Sequence, residues 1–199
     1  MDAFLDGYLR DLYAGGREHD APLTDRLLRL RNMTPAAAAF VAVLIRAQGG
    51  GRVLEIGTSN GYSAIWFADA VRDLGGDLAS VEIDAGRAEL ARGNIAKAGL
   101  ADQVTVVHAD GGQVLAERAS GSADVVVLDA ERPAYAGYWP QVRRVLADGG
   151  VVAVDNAVSH REQVAAFLAE VAGDGGFAVH VHEIGDGVLT AVRLPRRPR

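Results

Sequence analysis

Hydrophobic positions along the chain recur in two rhythms. In the first 48 residues the spacing is helical. Phe4, Leu5, Tyr8, Leu12 and Tyr13 form one apolar stripe, broken at Gly15-Gly16. Leu23, Leu27, Leu28 and Leu30 form a second, so residues 1–31 read as helical. Thr34-Pro35 supplies an N-cap and a first-turn proline for a further helix, from Ala36 to about Ala47, ending at three glycines. From Arg52 the rhythm changes. Near-continuous runs of Val, Leu, Ile and Ala predict strands near 52–57, 77–83, 103–108, 123–129 and 150–155. Helical stretches alternate with them near 60–74, 85–98, 111–119, 134–147 and 160–173. Strands apolar on both faces belong to a parallel sheet covered by helices on both sides. Residues 177–184 and 188–194, separated by Gly185-Asp186-Gly187, read as an antiparallel hairpin at one sheet edge. The prediction is a single doubly wound α/β domain with a mostly parallel seven-stranded sheet. It has extra helices over 1–48, a core over 52–194 and a tail over 195–199.

Composition narrows the function classes. A chain of 199 residues can bury a full core, and 49% hydrophobic with 23% charged residues is ordinary for a globular protein. A net charge of −6 argues against a nucleic-acid partner, and the basic C-terminal residues read as a solvated tail. With no cysteine there are no disulfides, zinc–thiolate sites or thiol nucleophiles. The N-terminus lacks a secretory pattern, and no window approaches the ~18 apolar residues of a membrane span. The expected location is the cytoplasm.

The candidate chemistry falls where the predicted strands end. Val53-Leu54-Glu55-Ile56 runs into a turn with Gly57 and Gly61, followed by a helix whose N-terminus favours a polar ligand. Glu82, Asp110, Asp129 and Asp155-Asn156 close later strands, on the edge where such sheets bind ligands. Glu82 lies about 20 residues beyond Gly61, the spacing at which a carboxylate reaches ribose hydroxyls. The turn carries Ser59 where dinucleotide sites usually have a middle glycine, and Glu55 adds negative charge. Both features disfavour a pyrophosphate. They suit S-adenosylmethionine, which has no phosphate and carries a sulfonium and an ammonium. Asp110 also reads as a helix N-cap, Ser63 as an ordinary helix serine and Glu82 as a solvated strand-end acid. Asp129, Asp155 and Asn156 would bring two carboxylates and an amide together if their strands are neighbours, a donor set for Mg²⁺ or Mn²⁺.

These segments resemble the cation-dependent O-methyltransferases of the catechol and caffeoyl-CoA type. The resemblance runs from about Met33 to Leu194 through LEIGTSNGYS, VEID, HADGGQVL, LDAERPAYAGY, VDN and EIGDGVLTA. It implies a Rossmann-like methyltransferase domain. It also implies that Glu55, Gly57, Thr58 and Ser63, with Met33 nearby, hold the methionine part of the cofactor, that Gly61 belongs to the same cofactor site, and that Glu82 holds its ribose. Asp110 and Gly111 would border the adenine. Asp129, beside the cofactor, would bind the cation together with Asp155 and Asn156. The acceptor would be a small phenol with two adjacent oxygens, and the molecule a homodimer formed through the N-terminal helices.

One position departs from the family. The catechol enzymes carry a lysine three residues after the first metal aspartate, where this chain has Arg132. Arginine stays protonated and is no general base. Arg132 then stabilises an oxyanion or binds an acidic acceptor, and His160 or water takes the proton, or else catalysis is altered. A non-catalytic cofactor-binding protein of the same fold stands as the alternative. Residues 1–35 and the aromatics Tyr135, Tyr138 and Trp139 are expected around the acceptor, although Tyr138 and Trp139 read equally well as core.

Overall fold

A computed structural model describes residues 1–195. The elements are α1 (Ala3–Asp20), α2 (Pro35–Gln48), β1 (Arg52–Ile56), α3 (Tyr62–Asp73), β2 (Asp77–Glu82), α4 (Ala85–Lys97) and β3 (Val104–His108). They continue as α5 (Gly111–Glu117), β4 (Ala123–Leu128), α6 (Tyr135–Val145), β5 (Leu146–Val154), α7 (Arg161–Gly173), β6 (Phe177–His182) and β7 (Val188–Arg193). The seven strands are ordered β3-β2-β1-β4-β5-β7-β6. All pairings are parallel except those of β7 with β5 and β6, so the hairpin forms the antiparallel edge. The predicted fold class is the observed one.

The strand runs are apolar throughout because alternate residues feed different cores. In β4, Val125 and Val127 join the cluster under α1–α4, around Leu9, Ile45 and Phe67. Val126 and Leu128 join the cluster under α5–α7, around Leu115, Tyr135 and Trp139. Trp139 lies edge-on to Phe167 at 6.1 Å and 4.9 Å from Phe177, joining α6 to α7 and β6. Trp139→Ala is expected to cost about 3–5 kcal/mol, read as a lower urea midpoint at unchanged slope.

Three expectations are corrected. Helix α1 continues through Gly15-Gly16 to Asp20. Burial of Leu5 and Leu9 holds it, and Gly16 lets the chain at Asn32 pass close by, since a Cβ there would sit 2.4 Å from Asn32 Nδ2. Residues 22–34 are not helical. Asp20 instead accepts hydrogen bonds from the backbone N–H of Leu30 (2.7 Å) and Arg31 (2.8 Å), while Leu27 and Leu28 are exposed. Tyr135 and Trp139 belong to the core and not to an acceptor wall. The tail, beyond Pro195, lies outside the described residues. Among the described residues no helix is long and apolar enough to cross a membrane.

Candidate active site

The order of strands reverses between β1 and β4, and a ligand crevice opens at such a point. A cavity of about 680 Å³ lies there, within the size range of small-molecule sites. Gly57 shapes its floor. Its φ of 106° is open to glycine alone, and a Cβ would meet the Asp129 carbonyl oxygen at 2.2 Å. Gly57 N–H donates to Val81 O (2.9 Å) and Asp129 N–H to Ile56 O (2.9 Å), so the ends of β2, β1 and β4 are tied together. Gly61 (φ 87°) caps α3, and a Cβ there would lie 3.2 Å from Ala91 Cα.

Behind this floor is a polar network. Glu55 is fully buried and accepts hydrogen bonds from Ser63 Oγ (2.5 Å) and Ser80 Oγ, with Ser80 Oγ also 2.6 Å from Thr58 Oγ1. Burial pushes its pKa up to about 7, the two serine hydroxyls pull it down and Glu82 adds to the rise. Glu55 and Gly61 are not among the residues that line the cavity. The register of β1 with β2 places Glu55 beside Ser80, and hydrogen bonds link Glu55 to Ser63 directly and to Thr58 through Ser80; Ser63 and Thr58 both reach the cavity. Ser80 was missed in the sequence; a lone serine inside an otherwise apolar strand was its only signal.

Met33, Gly57, Thr58 and Ser63 line one part of the cavity. Glu82 lines another. It is buried, not solvated, and it accepts hydrogen bonds from the backbone N–H of Ser59 (2.7 Å) and Asp84 (3.0 Å). Asp110 N-caps α5 through Gln113 N–H (2.9 Å) and also faces the cavity beside Gly111 and Tyr138. Gly111 leaves no room for a side chain, because its Cβ would lie 2.5 Å from Ile56 Cγ2. Of the three aromatics expected near the acceptor, only Tyr138 lines the cavity.

The third part lies at the ends of β4 and β5, which pair Leu128 with Val154 and so set Asp129 and Asp155 side by side. Asn156 follows in the left-handed region (φ 65°), where asparagine is at ease. Its Nδ2 donates to Asp129 Oδ1 (3.2 Å) and Asp155 Oδ2 (3.1 Å). Burial and the Asp155 charge push the Asp129 carboxyl well above the usual range, and burial raises that of Asp155. Asp155 Oδ1 is buried with no hydrogen-bond partner, an arrangement that costs free energy unless a cation meets it. A half-turn of the Asn156 amide would put its oxygen, in place of Nδ2, beside the two carboxylates. Among the described residues no three His, Asp or Glu side chains converge as a metal cluster. The donor set at this point is two carboxylates and one amide, which would suit a hard cation with water or ligand oxygens completing the shell.

Arg132 and His160 face the same end. Arg132 is buried, its Nε donating to Gln163 Oε1 at 2.7 Å, and its charge acts on both aspartates. His160 Nδ1 is 2.8 Å from Ser159 Oγ. Burial and the Arg132 charge push its pKa down, against the Asp186 charge, which raises it. The hairpin holds this loop: the N–H groups of Val158 (3.1 Å) and Ser159 (2.9 Å) donate to Asp186 O.

Comparison with known proteins identifies the family. The family model described as O-methyltransferase matches residues 21–193. A catechol O-methyltransferase of Mycobacterium tuberculosis is 34% identical over 162 residues, 79% of this chain and 71% of its own. A catechol O-methyltransferase of Niastella koreensis is 30% identical over 163 residues, 77% of this chain and 72% of its own. The solved O-methyltransferase TomG from Streptomyces achromogenes, in complex with S-adenosylmethionine, superposes with a TM-score of 0.75 at 25% identity, covering 98% of this chain and 91% of its own. The chain belongs to the S-adenosylmethionine-dependent O-methyltransferases of the catechol and caffeoyl-CoA type.

Proposed function

We propose that this enzyme methylates a hydroxyl of a small phenolic acceptor with two adjacent oxygens, with a divalent cation beside Asp129, Asp155 and Asn156. The observation that carries this reading is the unpartnered Asp155 Oδ1, buried next to a second carboxylate at the end of neighbouring strands. The cation, when bound, supplies positive charge that lowers the pKa of a hydroxyl next to it and orients adjacent oxygens.

The chain's own residues do the rest. Glu82 accepts hydrogen bonds from the ribose hydroxyls. Thr58 and Ser63, backed by Glu55, set a negative region by the methionine part of the cofactor, and Met33 packs beside it. Asp110, Gly111 and Tyr138 border the base. In the tautomer whose Nδ1–H donates to Ser159, His160 Nε2 is free to take the hydroxyl proton. Arg132, fixed by Gln163, stays charged and stabilises the acceptor oxygen. That oxygen attacks the methyl carbon as the carbon–sulfur bond breaks, leaving S-adenosylhomocysteine. Holding the two reactants in line supplies much of the acceleration.

The test is radiolabelled methyl transfer to catechol with Mg²⁺ against the same mixture in EDTA, expected to be fast and absent respectively.

Glu55 gives a pH dependence. Its pKa is about 7 folded and 4.5 as a free group, so stability from its neutral form is complete below about pH 4.5 and fades as pH rises to about 7. The loss is at most about 3 kcal/mol. A cofactor sulfonium nearby favours the ionised form, so cofactor affinity should rise between about pH 5 and 7. Calorimetric titration across this range should show proton release on binding in the native enzyme and none in Glu55→Gln.

A further inference from the structure

The chain is acidic overall, with a net charge of −6, yet Arg26, Arg31 and Arg132 line the cavity together with Asp129, Glu131, Asp155 and Asp186. Arg26 and Arg31 come from the irregular segment between α1 and α2. Both reach the same carboxylate, Glu131, at 2.7 and 2.8 Å. Arg132 follows Glu131 in the chain and has no carboxylate in salt-bridge contact among the described residues; its Nε is used by Gln163. These cations belong to the acceptor end. Arg31 and Arg132 both act on Asp129, and Arg26, Arg31 and Arg132 all act on His160, whereas Glu82 and Asp110 lie at the nucleoside end.

The fork made by Arg26 and Arg31 already shows what it binds. A carboxylate sits in it, supplied by the protein. That ion pair is replaceable, since Glu131 is 42% exposed and its partners are 48% and 33% exposed, and pairs of such exposure are worth little against water. At the fork itself two arginines on one glutamate leave one positive charge over, while Arg132 stands with Asp129, Asp155 and Asp186 along the same cavity. Planar guanidinium forks select carboxylates and phosphates.

We propose that the acceptor is anionic: an aromatic diol bearing a carboxylate, which Arg26 and Arg31 receive in place of, or alongside, Glu131. This inference rests on the proposed phenolic acceptor and narrows it. Glu131 then serves as an internal stand-in that keeps the fork ordered in the free enzyme and that an acidic acceptor displaces. A neutral catechol has no group to compete for this fork.

The experiment compares kcat/KM for 3,4-dihydroxybenzoate and for catechol at saturating S-adenosylmethionine and Mg²⁺, in the native enzyme and in Arg26→Gln, Arg31→Gln and Glu131→Gln. The acid should be preferred by about 10-fold, a preference that shrinks in each arginine variant, grows in Glu131→Gln and falls with added salt. The KM for S-adenosylmethionine should not follow these changes. A ratio near one in the native enzyme, or one unmoved by the arginine variants, overturns the inference and leaves the phenolic acceptor intact. A rise in the KM for S-adenosylmethionine at constant acceptor ratio also overturns it and assigns the fork to the cofactor's own carboxylate. Methylation of neither compound overturns the phenolic reading, and this inference with it.

Discussion

Asp155→Ala should bind S-adenosylhomocysteine normally and transfer methyl groups at roughly 10²–10³-fold lower kcat/KM, with added Mg²⁺ restoring nothing. Asp155 ends β5 away from the nucleoside part of the cavity, so its loss leaves Glu82, Ser63 and Asp110 in place. What disappears is one of two carboxylates that stand side by side in a buried setting, the pair proposed to hold the cation. Charge stabilisation of this kind is worth several kcal/mol, about tenfold in rate per 1.4 kcal/mol. Thermal unfolding gives an independent readout. Without cation the variant should melt higher than the native protein, because a buried carboxylate next to another destabilises the fold. With saturating Mg²⁺ the native protein should gain stability by mass action and the variant should not. A variant as active as the native enzyme would remove Asp155 from the cation site.

Gly57→Ala should damage folding and cofactor binding together. The new methyl group would require φ near 106° from a residue with a Cβ and would press on the Asp129 backbone at 2.2 Å. Backbone has no flexible end to swing away, so either β1 or β4 must shift. Left-handed strain alone costs about 1–2 kcal/mol, and the contact adds more, so a loss of 3 kcal/mol or greater is expected in urea unfolding. The same shift displaces Asp129 and the floor beneath the methionine part of the cofactor, so affinity for S-adenosylhomocysteine should fall at least 10-fold. Gly137→Ala, on α6 with open space where its Cβ would sit, is the control: affinity should stay unchanged and stability should rise by up to about 1 kcal/mol.

Much of this arrangement is legible in the sequence, for identifiable reasons. Val-Val-Val-Leu-Asp can only be a strand buried on both faces, and its terminal acid then falls on the ligand-binding edge. Thr34-Pro35 starts a helix as read, with Thr34 Oγ1 accepting from Ala37 N–H at 3.3 Å. The parts that escape local reading depend on distant partners. Gly15-Gly16 looks like a break until Asn32 is seen packed against it. The stripe of leucines over 23–30 suggests a helix, but Asp20 ties the backbone at 30–31 into another shape. Tyr135, Trp139 and Val142 repeat at helical spacing, which could have assigned them to the core and left Tyr138 alone for the cavity. Arg26 and Arg31 lie about 100 positions from Glu131, and no local pattern joins them. Glu55 is recognisable as a site residue, but its place behind Ser63 follows from the register of β1 with β2.

The most direct test of the central claim is methyl transfer from S-adenosylmethionine to a catechol, measured in Mg²⁺, after EDTA, and after Mg²⁺ is returned in excess. The geometry at Asp129, Asp155 and Asn156 predicts turnover, its loss and its recovery, in that order. Turnover at the same rate in EDTA would contradict the assignment of those three residues to a catalytic cation.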